Sequence, residues 1–96
     1  MPERSDVIAA IETERDFQEA LLEKGRPDMR PDLQIGSAIL AMEENLKRAR
    51  EAWYTDSGNY PQTMEYLRKV GGLIVQVGEV HGMPIRAPAG GTDVIS

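Results

Sequence analysis

Between Leu33 and Tyr54, apolar side chains recur with the step of an α-helix. Ile35, Ile39, Met42, Leu46, Ala49 and Trp53 follow at intervals of four, three, four, three and four residues. A half-buried strand needs alternation and a loop has no period, so this stretch is read as a helix with one apolar face. Trp53 continues the stripe and is expected in the core. The remaining positions are dense with charge: Glu43, Glu44, Lys47, Arg48, Arg50 and Glu51. Such a helix can pack on a partner helix and offer carboxylates at its edge to a cation.

The punctuation around it sets the rest of the fold. Residues 25–32, GRPDMRPD, contain Pro27 and Pro31, which cannot sit inside a helix. Gly25 suits the residue just past a helix end, and Asp32 is expected to cap the second helix. Gly36 and Ser37 weaken that helix's first turn, so its start can slip. Upstream, a first helix is expected from Asp6 to Lys24, capped by Ser5 or Asp6, with Val7, Ile8, Ile11, Phe17, Ala20 and Leu21 as its stripe. Downstream, TDSGN at 55–59 reads as a turn. A third helix then follows, with Asn59 or Tyr60 as cap and Pro61 in the first turn, where its missing N–H is not needed. It should run to His81, with Met64, Leu67, Val70, Ile74, Val77 and Val80 at helical spacing, until Gly82 stops it and Pro84 prevents a restart. Gly71, Gly72 and Gly78 each cost roughly 1 kcal/mol against Ala inside a helix. Their presence points to a close crossing with another backbone or to a kink.

The expected fold is therefore all-α, with three main antiparallel helices in one domain. Residues 1–5 are expected to be a flexible N-terminus, 6–83 the helical domain and 84–96 a flexible C-terminal tail. A chain of 96 residues buries a limited fraction of its surface. The second and third helices carry more apolar surface than one three-helix layer covers. A homodimer or higher homo-oligomer with a four-helix-type core is the expected solution.

The formal charge of −5 disfavours non-specific binding to a nucleic-acid backbone. With no cysteine, disulfides, thiolate metal sites and cysteine nucleophiles are excluded. No apolar run reaches membrane-spanning length and no signal-peptide core is present, so no membrane partner and a cytoplasmic location are expected.

Three phrases carry a family likeness: ETERDFQEAL (Glu12 to Leu21), AMEENLKRAREAW (Ala41 to Trp53) and YLRKVGGLIVQVGEVHGMP (Tyr66 to Pro84). Together they resemble small phage and prophage proteins related to the MazG-like, all-α nucleotide pyrophosphohydrolases, over about residues 6–86. In the active family one helix carries ExxE and the next ExxD, and these carboxylates bind the Mg²⁺ that orients a triphosphate. Glu44 and Glu65 match the first residue of each motif. The positions three later are Lys47 and Arg68, which are donors only and cannot ligate Mg²⁺. The resemblance thus implies a MazG-like scaffold that has lost its hydrolase chemistry and binds, or sequesters, a nucleotide or other phosphate-bearing small molecule in phage–host conflict, within the bacterial host cytoplasm if phage-encoded. No cofactor is then expected. The alternatives are an active Mg²⁺-dependent nucleoside triphosphate pyrophosphohydrolase, with Glu44, Glu65 and Glu43 as metal ligands, and a helical protein that binds a host protein.

Basic residues in place of metal ligands suit a phosphate held without metal, by charge-assisted hydrogen bonds. Lys47, Arg48, Arg68 and Lys69 are the candidate phosphate ligands, with Tyr66 as a stacking surface. Each also has an ordinary reading, since Glu44–Arg48 and Glu65–Lys69 are i,i+4 pairs on exposed helix faces. His81 lies in the last turn of its helix, where it can satisfy carbonyl groups. With no cysteine and no second histidine it makes a poor zinc site.

Overall fold

A computed structural model of the chain describes residues 1–24, 33–55 and 57–88. Those residues form three helices: α1 (Arg4–Glu23), α2 (Ile35–Tyr54) and α3 (Tyr60–His81). No strand occurs among them. The expected roles of Gly25, Pro27, Pro31 and Asp32, and the tail beyond residue 88, lie outside the described residues.

Local chemistry explains the ends. α1 begins two residues before its expected start, because Asp6 acts inside the helix: the Glu3 N–H donates to Asp6 Oδ2 at 2.9 Å. This is the reciprocal arm of a capping box. α2 starts late, after Gln34, whose side chain makes no capping bond. The turn that follows α2 closes with the Gly58 N–H donating to the Trp53 carbonyl at 2.8 Å, Ser57 and Gly58 both taking positive φ. Asn59 caps α3, its Oδ1 accepting from the Gln62 N–H at 3.2 Å, and Pro61 lies in the first turn. Gly82, at φ 86°, ends the helix.

α3 is the centre of the layer. α1 and α2 each pack on it and, among the described residues, not on each other. Ala52 of α2 lies beside Gln62 and Tyr66, while the other end of α2 meets the end of α3, where His81 Nε2 donates to the Leu33 carbonyl at 2.8 Å. The two helices are therefore antiparallel. α1 runs in the same direction as α3, Val7 lying near Met64 and Arg15 bonding Glu79.

The packing uses small residues. A Cβ at Gly72 would stand 2.8 Å from Glu14 Cγ and from Gln18 Nε2, and one at Gly71 would stand 2.9 Å from Ile11 Cγ1. The expected close crossing is thus made by these two glycines against α1. Gly78 instead lies under Met83 of the chain's own C-terminal segment. On the other side, α2 packs through Ala38, Ala49 and Ala52, which are the buried hydrophobic residues among those described.

Two expected stripes need correction. In α1, Phe17 and Ala20 are exposed, and the side toward α3 is Val7, Ile11, Glu14, Gln18 and Leu21. In α2 the stripe of Ile35, Ile39, Leu46 and Trp53 flanks the contact with α3 and does not enter it. Trp53, expected in the core, is exposed within the chain, its ring lying by Gly58. The alanine stripe wins the contact because it lets the two backbones approach closely.

Gly72→Ala should lower stability by about 1 kcal/mol, the overpacking outweighing the gain in helix propensity. Gly36→Ala, with nothing within 4 Å of the new Cβ, should raise it by about 0.5 kcal/mol. Urea unfolding of both variants checks the pair of signs.

Candidate functional site

The crossing of α1 over Gly71 and Gly72 gathers polar side chains that α1 would otherwise show to solvent. Glu14 and Gln18, one turn apart, are drawn down beside Gly72 and are only 7% exposed. From α3, Gln76 rises one turn later and is 3% exposed. Arg68 Nε donates to Glu14 Oε1 at 3.0 Å, and its two terminal nitrogens donate to the Glu65 carboxylate at 3.2 Å each. These bonds, that to Glu14 first, push the Arg68 guanidinium above its ordinary range, partial burial opposing them. Arg15 Nε bonds Glu79 across the same interface, and Arg15 NH1 is buried without a partner.

On one side of α3, α1 and α2 stand apart and leave a cleft of about 370 Å³. Phe17 and Leu21 of α1, Leu33 and Ala41 before and on α2, and Leu73 of α3 give it apolar walls. Gln18, Ser37, Asn45 and Gln76 give it polar groups, and Lys69 stands at one end. Past Lys69 it continues into a second hollow of about 330 Å³ bounded by Thr13, Glu14, Phe17 and Arg68. Gln18 Oε1 is buried and accepts no hydrogen bond from the protein. A buried amide oxygen left unpaired costs about 1–3 kcal/mol, and this one, packed beside Gly72, meets a donor in the cleft only when the Gln18 amide turns toward it.

The expected phosphate ligands do not all converge. Arg68, Lys69 and Tyr66 share α3, with Lys69 Nζ 5.5 Å from the centre of the Tyr66 ring. Arg48 lies on α2 and is bonded by Glu44 at 3.1 Å; with Tyr66 it borders a separate shallow groove. Lys47 is exposed on α2. Arg68 faces α1, where it pairs with Glu14.

The carboxylates also diverge. Glu44 pairs with Arg48, Glu65 with Arg68 and Glu79 with Arg15. Among the described residues, no group of three or more His, Asp or Glu side chains is placed to hold a metal ion. Glu44, Glu65 and Glu43 as arranged do not fit a Mg²⁺ site: two of them are already neutralised by arginines on their own helices. His81, expected to satisfy carbonyls of its own helix end, reaches across to the Leu33 carbonyl, and so donates from Nε2.

Sequence patterning does not single out Glu14, Gln18, Asn45 or Gln76, and it offers Phe17 only as part of an apolar stripe. For Glu14 and Gln18 the signal is the steps of four, three, four and three through Val7, Ile11, Glu14, Gln18 and Leu21; Asn45 and Gln76 carry no such signal. Comparison with family models, with curated proteins and with solved structures finds no match to this chain.

Breaking the half-buried pair should cost more than breaking an exposed one. Arg68→Leu is expected to lower stability by about 2 kcal/mol, since it leaves the Glu14 carboxylate buried without its cation. Arg48→Leu should cost less than about 0.5 kcal/mol. Chemical denaturation of the two variants measures the difference.

Proposed function

We propose that this chain is a binding module of MazG-like type that takes up a nucleotide, or another small molecule with a phosphate and a hydrogen-bonding ring, without hydrolysing it. The observation that carries the reading is a cleft with apolar walls and Lys69 at its edge, lined by Gln18, whose buried Oε1 lacks a hydrogen bond among the described residues. Ligand clefts commonly combine apolar walls with a few placed polar groups. A ring bearing an N–H donor would satisfy Gln18 while lying against Phe17 and Leu73. Its phosphate would extend toward Lys69, which makes no ion pair among the described residues, and where a charge-assisted bond would form without metal. Arg68 bounds the far side, but Glu14 and Glu65 already occupy it, so its part is to set the charge of the hollow. The role in phage–host conflict follows from the family resemblance alone.

The pairing of Glu44 and Glu65 with arginines supports binding over turnover. The active pyrophosphohydrolase remains the competing reading and requires both carboxylates to leave their arginines and meet around one Mg²⁺.

Isothermal titration with nucleoside triphosphates, monophosphates and cyclic nucleotides tests the proposal. At least one is expected to bind. Lys69→Ala should weaken it about ten-fold, the loss of one charge-assisted bond, and Gln18→Leu should remove the preference among bases. No heat and no thermal shift across the panel would sink the reading. Pyrophosphate release with Mg²⁺ or Mn²⁺, abolished by Glu44→Ala or Glu65→Ala, would establish the hydrolase instead.

A further inference from the structure

α1 and α3 approach most closely at Gly71 and Gly72, against Ile11, Glu14 and Gln18. Toward the N-terminal ends of both helices a groove of about 470 Å³ opens between them. It shares Arg68 with the hollow beside Lys69 and no residue with the cleft itself. Its walls are Val7, Ala10 and Ile11 of α1 and Met64 and Leu67 of α3. Val7 is 51% exposed, Met64 45% and Leu67 38%, so apolar surface here is open to water. Pro2 and Pro61 border the outer end, and the Ile11–Gly71 contact shuts the inner one. The α3 residues along it run from Pro61 to Arg68, about 10 Å at 1.5 Å per residue. That is too short to seat a partner helix. The volume falls within the roughly 300–1,000 Å³ of small-molecule sites.

Charge decides what kind of molecule fits. Asp6, Glu65 and Arg68 border the groove, and Arg4 does not. The Arg68 guanidinium is shared between Glu65 and Glu14, so three carboxylates stand against one cation. Among the described residues Asp6 makes no ion pair, and its Oδ2 accepts the Glu3 N–H. The Glu65 carboxylate is half-exposed and takes two bonds from Arg68, which leaves it further acceptor positions. Two helix N-termini also meet here, and each favours an anion with about half a charge within its first turn. Donors at these ends are already engaged: the Glu3 N–H on Asp6 and the Gln62 N–H on Asn59, while Pro61 has none to give. Full carboxylate charges therefore outweigh the dipoles, and the groove combines an apolar floor with a negative rim.

We propose that this groove is a second binding site, for a small organic cation: an amine on an apolar chain or ring. The apolar body lies against Met64 and Leu67, and the ammonium is held at the Asp6–Glu65 rim by charge-assisted hydrogen bonds. An anion of the same shape meets the surplus of carboxylates and is rejected. The site is separate from the cleft and does not depend on what the cleft binds.

Titration of the full chain, carrying ¹³C in its methionine methyl groups, with hexylamine, hexanol and hexanoate tests it by NMR. Hexylamine is expected to move the Met64 methyl resonance saturably and to leave those of Met42 and Met83 in place. Hexanol should bind about ten-fold more weakly, lacking the charge-assisted bond, and hexanoate more weakly still. The double variant Asp6→Asn/Glu65→Gln should bring hexylamine down to the affinity of hexanol while hexanol itself binds as before, a split that a loss of fold does not produce. Ala10→Phe, at an exposed helical position, fills the groove and should abolish the Met64 shift with all three, circular dichroism confirming that the variant is helical. No saturable Met64 shift up to about 10 mM hexylamine would overturn the proposal. Hexanoate binding as well as hexylamine, or a shift that survives Ala10→Phe, would do the same. A Met64 shift on dilution without any amine would show the groove filled by a second copy of the chain, and would also overturn it.

Discussion

The absence of side chains at Gly71 and Gly72 is the constraint on which the rest of the layer depends. With Cβ positions that would fall within 3 Å of α1 side chains, α3 admits α1 at that point only as glycine. α2 reaches the opposite side of α3 through alanines. Helices that meet through small residues approach closely but bury little apolar area, about 0.8 kcal/mol for each methylene-sized group removed from water. The large aliphatic side chains are displaced to the flanks of each contact. The chain thus has closely packed helix pairs and, among the described residues, no fully buried large side chain.

Polar contacts take a larger share of the α1–α3 interface than such interfaces usually carry. Glu14 is buried against Arg68, which also holds Glu65, and Arg15 reaches Glu79. Two charges removed from water repay their desolvation only when their geometry is good and their other bonding positions are filled. Arg68 meets that condition with three donated bonds; Arg15 does not, because NH1 stays unpaired. Such an interface is specific in register and modest in net stability. α2 and α3, joined by a short turn and closed at the far end by His81 on Leu33, form the firmer pair.

The three helices were legible in sequence because prolines, glycines and an asparagine cap mark their ends. The sides on which they pack were not. In α1 the true contact line contains Glu14 and Gln18, and a search for apolar residues passes over both and takes Phe17 in their place. In α2 two stripes of helical spacing lie side by side, one of alanines and one of bulky residues. Hydrophobicity favours the bulky stripe, whereas close approach to α3 favours the alanines, and only the position of α3 decides between them. The candidate site was half legible for the same reason. Lys69 and Arg68 stood out by charge. Gln18 and Gln76 acquire their meaning from burial, which a neutral amide does not announce.

The two sides of the layer have opposite chemistry, and this separates two demands that a small chain otherwise has to meet with one surface. Ile39, Leu46 and Trp53 lie exposed along one flank of α2. Recognition requires leaving Gln18, Asn45 and Lys69 open. Because α3 lies between α1 and α2, the bulky stripe of α2 and the cleft fall on different flanks of the α2–α3 contact. α2 serves both, turning its bulky seam one way and Ser37, Ala41 and Asn45 the other. Among the described residues α1 packs on α3 and not on α2, with Glu14 and Arg68 in the contact, so it is the less constrained wall of the cleft. A ligand that bonds Gln18 would add to the side of the interface where the protein's own bonding is incomplete, and would hold α1 in place through the atom that now lacks a partner.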